Sequence, residues 1–159
     1  MFVYCARSWR VSTMLTTGSV PLTCPPVTAE NFDTNRLVER LIYIRLHGIP
    51  DQPYLYGDNW LTALSADQVR SVRLPSSLVF LEGCYGALFA QAFIDAGALA
   101  VAGSSEQTIG KRLAIGPSST VGQRWLWSVL RGKSAGEALA RAGAGENWSV
   151  IGDKEARLT

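Results

Sequence analysis

Leu78-Val79-Phe80-Leu81-Glu82-Gly83-Cys84-Tyr85-Gly86 is an apolar run that stops at a glycine and a cysteine. Behind it, Leu88, Phe89, Ala92, Phe93 and Ala96 recur at helical spacing until Gly97 ends the pattern. The segment therefore predicts a buried strand, a tight turn through Cys84 and a helix. An earlier stretch has the same form: Leu41-Ile42-Tyr43-Ile44-Arg45-Leu46 is apolar but for one arginine and ends at His47-Gly48. Two such strands joined by a crossover would lie parallel, and parallel strands are buried on both faces, which accounts for their near-continuous apolar character.

Working outward, Ser65 and Gln68 form a capping box ahead of Val69 and Val72, and Ser134 and Glu137 form a second ahead of Ala138, Leu139 and Ala142. Asp33 is a plausible N-cap for a short helical stripe through Leu37, Val38 and Leu41. Residues 49–64, rich in Pro, Tyr, Gly, Asp and Asn, predict a long loop or small hairpin of the kind that shapes a pocket. Ala98–Ala102 predicts a strand closed by a polar loop from Ser104 to Gly110, Val121 to Leu130 a helix, and Trp148–Ile151 a last strand. Strands alternating with helices predict an α/β fold, with a mostly parallel sheet and helices on both faces. Residues 1–30 show no steady period and read as a poorly patterned N-terminal segment, leaving 31–159 as the α/β domain. A sheet built from that domain alone would present an open edge, and open edges pair, so a homo-oligomer joined there is an expected consequence.

The chain has 159 residues, 47% of them hydrophobic, enough for one domain with a real core. A net charge of +2 with 18% charged residues provides no polybasic face, so nucleic acid is not an expected partner. Its apolar runs are too short to cross a bilayer, and Arg7 and Arg10 interrupt the first of them, so neither a membrane span nor a secretory leader is expected. There is no GxGxxG and no GxxxxGK[ST], which puts a nucleotide-binding domain last among the readings. With one histidine and three cysteines, none in a CxxC pair, the sequence shows no metal-ligand spacing; no metal and no cofactor are expected.

In an open α/β sheet, reactive groups gather beyond the carboxyl ends of the strands. His47 and Cys84 both stand at such ends, and neighbouring parallel strands lie about 5 Å apart. The helix that begins after Cys84 would favour a thiolate there, and His47 would serve as its general base and later protonate a leaving amine. Gly48, Gly83 and Gly86 permit close backbone approach around the pair. The N–H groups of Gly48 and Cys84 are the candidates for an oxyanion hole. Taken singly, such a cysteine is more often a small buried residue and such a histidine a satisfied polar group. Their joint placement at one sheet edge favours chemistry.

The strand ending His47-Gly48, the strand ending Gly83-Cys84-Tyr85-Gly86, the following Ala92–Gly103 segment and the closing Ile151-Gly152-Asp153 resemble the clan CD cysteine peptidases, the caspase, gingipain and CHAT group. The resemblance covers roughly residues 37–158. It implies a three-layer caspase-like fold and a cysteine endopeptidase whose His47–Cys84 dyad hydrolyses peptide bonds in a protein or peptide substrate. It also implies a pocket for the side chain before the cut. Glu106 and Asp58 are the candidate negative charges for an Arg or Lys there, and Trp60, in the long loop, is a candidate pocket wall. Here Glu82-Gly83-Cys84-Tyr85-Gly86 stands where CHAT domains commonly have Ser-Ala-Cys-x-Thr-Gly. A catalytically inactive caspase-like or CHAT module, or a fragment of one, that binds another protein is the alternative. Gingipain-like proteins are often exported and CHAT proteins often cytoplasmic; the lack of a leader pattern tips the expectation toward the cytoplasm.

Overall fold

The computed structural model describes residues 1–108 and 121–159. The expected loop from Ser104 is described as far as Thr108; its last two residues lie outside the described part. Six strands form one sheet: β1 (Phe2–Ala6), β2 (Leu22–Cys24), β3 (Leu41–Arg45), β7 (Leu78–Leu81), β8 (Ala100–Ser104) and β9 (Trp148–Gly152), in the order β2-β1-β3-β7-β8-β9. The first five are mutually parallel and β9 runs antiparallel to β8. A small antiparallel sheet of β4 (His47–Gly48), β5 (Tyr54–Tyr56) and β6 (Thr62–Ser65) occupies the expected loop or hairpin region.

Among the described residues, five helices cover the main sheet: α1 (Arg10–Thr17), α2 (Ala66–Arg70), α3 (Gly86–Asp95), α4 (Val121–Leu130) and α5 (Ala135–Arg141). Alternation along the central strands sorts the core into two halves. Ile42, Ile44, Val79 and Leu81 pack with Val69 of α2 and Phe89 and Phe93 of α3. Leu41, Tyr43, Leu78 and Phe80 pack on the other face with Trp125 and Leu126 of α4 and Ala138 of α5. The result is an α/β fold with a mostly parallel sheet between helical layers.

Both expected capping boxes are present: the Ser65 and Ser134 hydroxyls accept from the Gln68 and Glu137 amides, and those side chains accept in return from the amides of Ser65 and Ser134. Asp33 caps only a single 3-10 turn, Thr34–Leu37, because its hydroxyl-free carboxylate accepts from Asn35 and the chain then enters β3.

Residues 1–30 correct the expectation of a poorly patterned segment. They form β1, α1 and β2 and extend the sheet past β3. The pattern is hidden because α1 is turned inside out: it buries Ser12, Thr13 and Thr16 and exposes Val11 and Leu15, each 61% accessible. Two of the buried hydroxyls are held locally: Ser12 Oγ donates to the Trp9 carbonyl at 3.1 Å and Thr16 Oγ1 to the Ser12 carbonyl at 2.9 Å. Among the described residues the edges of the sheet are therefore the three-residue β2 and the antiparallel β9.

Strand order also locates a crevice. From β1 the chain steps outward to β2 and then returns to the other side of β1 as β3, so the order reverses between β1 and β3. At such a switch point the connections leave the two strands toward opposite faces and open a cleft beyond their carboxyl ends. Residues 7–9 and His47 stand at that place.

Candidate functional site

β3 and β7 pair in parallel with Ile44 opposite Leu81, so both strands end at the same level. The segments that leave them touch. A β carbon built on Gly48 would collide with the Cys84 carbonyl oxygen, and one on Gly83 with the Leu46 carbonyl oxygen. Any other residue at either position would wedge the two ends apart. Gly86 is packed close to Leu81, a β carbon there falling 2.8 Å from the Leu81 carbonyl oxygen, and Gly103 of β8 lets the first turn of α3 sit on the sheet, a β carbon there falling 2.7 Å from the Ala87 nitrogen.

After Cys84 the chain turns into α3 through Tyr85, which is left-handed with φ 56°. Left-handed backbone costs a non-glycine residue about 1 kcal/mol or more, and such residues concentrate where a site needs a side chain re-aimed. Asn59 and Trp60, on the facing loop, are left-handed as well, with φ 56° and 58°. The Tyr85 amide donates to the Glu106 carbonyl at 3.0 Å, tying the Cys84 turn to the loop after β8. From that loop the Thr108 amide donates to Cys84 Sγ at 3.4 Å, and the sulfur lies 3.5 Å from the Thr108 carbonyl oxygen.

Cys84 is half-buried, whereas Cys5 and Cys24 are fully enclosed; all three are free thiols. Burial pushes the Cys5 thiol up to about 11 and raises Cys24 also. Cys84 is thus the one accessible thiol.

His47 stands between two indoles, with ring centroids 4.4 Å from Trp9 and 5.3 Å from Trp60. Ser8, Trp9, His47, Gly57, Asp58, Asn59 and Trp60 line an open pocket of about 410 Å³ at the switch point. Asp58 is fixed in its wall: its two carboxylate oxygens accept from the Ser8 amide and hydroxyl, each at 2.7 Å. Trp60 is 62% exposed and forms a flat, accessible wall.

The structure therefore brings His47, Asp58 and Trp60 together in one pocket, and brings Gly48 against Cys84 through their backbones. Glu106 is separate: its side chain is exposed and it meets the site through its carbonyl on Tyr85. Of the two carboxylates expected to read a cationic side chain, Asp58 shares the pocket with His47 and Glu106 does not. For the oxyanion pair, the Cys84 group that faces the Gly48 α carbon is its carbonyl.

Sequence reasoning passed over Trp9, Thr108 and a buried ion pair behind the site. Arg45, fully buried, approaches Glu82 with Nε 3.6 Å from Oε1, and the Tyr43 hydroxyl bonds the other Glu82 oxygen. Burial pushes the Glu82 carboxyl up to about 8. Arg45 opposes that rise, but it is itself depressed by the same loss of solvent. The signal was present in sequence: a lone arginine inside an apolar strand must find a partner, and Glu82 ends the neighbouring strand.

A pH dependence of stability follows. The folded chain holds a proton on Glu82 that the unfolded chain releases near 4.5, so this group favours folding fully below 4.5 and its contribution is lost as pH rises to about 8. The loss is on the order of a few kcal/mol. Urea unfolding at pH 5 and pH 8 is expected to show a smaller drop between the two in Glu82→Gln than in the parent; equal drops would place the proton elsewhere.

Among the described residues no group of three or more His, Cys, Asp or Glu is arranged to hold a metal, and no helix is long and apolar enough to cross a membrane. No protein-family model matches the chain, and no curated protein matches it.

Proposed function

We propose that the chain is a caspase-like cysteine endopeptidase in which Cys84 and His47 hydrolyse peptide bonds on the carboxyl side of Arg or Lys. The observation that carries the reading is the contact of Gly48 with the Cys84 carbonyl at the level ends of two adjacent parallel strands, which sets the histidine and the accessible thiol on one rim. A parallel sheet closed by an antiparallel edge strand and covered on both faces supports the caspase-like part of it.

In the proposed reaction His47 takes the thiol proton as Sγ attacks the scissile carbonyl carbon. The C–N bond then breaks, and the imidazolium returns the proton to the leaving amine. Water, deprotonated by the same imidazole, hydrolyses the thioester and restores the thiol. Asp58 supplies the opposite charge for a cationic side chain in the pocket, and Trp60 and Trp9 offer aromatic faces to its guanidinium or ammonium.

The test is a panel of fluorogenic peptides differing only in the residue before the cut. Cleavage after Arg or Lys is expected, with Asp58→Asn lowering kcat/KM for those peptides by roughly 10- to 100-fold and leaving cleavage after Leu little changed. Equal cleavage after all residues would remove Asp58 from recognition, and none after any would remove the peptidase.

One observation favours a second reading, a caspase-like module that binds a protein without catalysis. The ring contacts of His47 are with Trp9 and Trp60, and the Cys84 sulfur meets the Thr108 amide. Catalytic hydrogen bonds often tighten only when substrate arrives, so this contact pattern and a working dyad are compatible.

A further inference from the structure

The dyad reading leaves unexplained why a fully buried arginine sits two residues before His47 and a largely buried glutamate two residues before Cys84. The arrangement is expensive: the guanidinium leaves water and burial holds the partner carboxyl protonated up to about pH 8, and replacing such a pair with apolar side chains is often neutral or stabilising. Its contacts lead to the histidine. Arg45 Nε faces Glu82, its Nη1 donates to Ser12 Oγ at 2.9 Å, and its guanidinium carbon lies 5.2 Å from the centre of the Trp9 ring. That same indole is the one whose centroid is 4.4 Å from the His47 imidazole.

We propose that Arg45, clamped by Glu82 and Ser12, is a positioning residue that holds the Trp9 indole against His47 and disfavours a second positive charge on that ring, keeping the imidazole in its proton-accepting form. An indole ring attracts a cation, and Arg45 already lies against this one. The two distances to Trp9 hold the guanidinium within about 10 Å of the imidazole. At an effective dielectric near 20, a charge at that range shifts an imidazole by about one pH unit. Other groups act on the same centre. Asp58 faces His47 across the pocket and favours its charged form, Tyr56 lies opposite it in β5, and Cys84 stands on the adjoining strand end. Around Arg45 stand Glu82 just after β7, Tyr43 from β3 and Cys5 opposite it in β1. None of these residues is itself altered by a substitution at Arg45.

The inference depends on the proposed dyad only for the use it gives to a neutral imidazole; the physical claim is about His47 and is read without Cys84. His47 is the only histidine in the chain, so its ring protons give one unambiguous titration by NMR. Arg45→Met is expected to raise the His47 pKa by about one unit, and Arg45→Lys, which keeps the charge, to leave it near the parent value. If Arg45→Met does not fold, the double variant Arg45→Met with Glu82→Leu, which removes the guanidinium together with its protonated partner, is expected to fold and to show the same rise. An unchanged His47 titration in a folded Arg45→Met or double variant would overturn the proposal and make the pair a packing element. Failure of both to fold would overturn it too, since a role separable from folding is what is claimed. A raised His47 pKa with Cys84 still inert would uphold the inference while removing the peptidase.

Discussion

Cys84→Ala is expected to abolish cleavage of the basic peptides, a loss of at least about 10³-fold, and His47→Ala to cost a similar factor, because nucleophile and base act as a unit. The same dyad is testable without any substrate. With Cys5 and Cys24 enclosed, iodoacetamide is expected to add once to the folded chain, at Cys84. An ordinary thiol reacts slowly below neutrality, since the thiolate is the nucleophile. Alkylation of the parent at pH 6 is expected to exceed that of His47→Ala by at least about tenfold, with the site read by peptide mass. Slow reaction in both, or equal reaction in both, with folded samples, would leave the protein-binding module as the surviving reading. Labelling at Cys5 or Cys24 would instead report unfolding, so the experiment checks its own sample.

Much of the site was legible because its physics is local. An apolar strand buried on both faces has few substitutes for Val, Ile, Leu and Phe, and β3 and β7 show this in Leu41–Ile44 and Leu78–Leu81. Ser65 with Gln68 and Ser134 with Glu137 announce helix starts by spacing alone, and both formed. What was illegible depends on partners distant in sequence. α1 puts hydroxyls inward because Ser12 meets Arg45, 33 residues away, and nothing in the sequence of α1 declares that arginine. Trp9 has no meaning until β1 takes its place beside β3 and carries residues 7–9 to the switch point. Asp58 and Glu106 were equivalent as sequence; the Ser8 hydrogen bonds fix one in the pocket wall while the other projects into solvent.

The contact between the two strand ends makes the strongest prediction about stability. Gly48 and Gly83 have ordinary negative φ, so neither is needed for a left-handed turn; each is needed because a backbone carbonyl occupies the place of its side chain. Gly132 is the reverse case, with φ 79° and nothing within 4 Å of a built β carbon. Alanine there costs only the backbone strain, about 1 kcal/mol. At Gly48 or Gly83 the obstacle is a main-chain carbonyl just beyond the end of a paired strand, which cannot swing aside as a flexible side chain would. Relief requires the ends of β3 and β7 to separate. Gly48→Ala and Gly83→Ala are each expected to lose about 3 kcal/mol in urea unfolding followed by tryptophan fluorescence, well beyond Gly132→Ala. Because separation also moves His47 away from Cys84, whichever variant stays folded is expected to lose the His47-dependent part of Cys84 alkylation. A Gly48→Ala chain as stable as the parent would mean that the two ends do not touch, and the shared rim on which the peptidase reading stands would go with them.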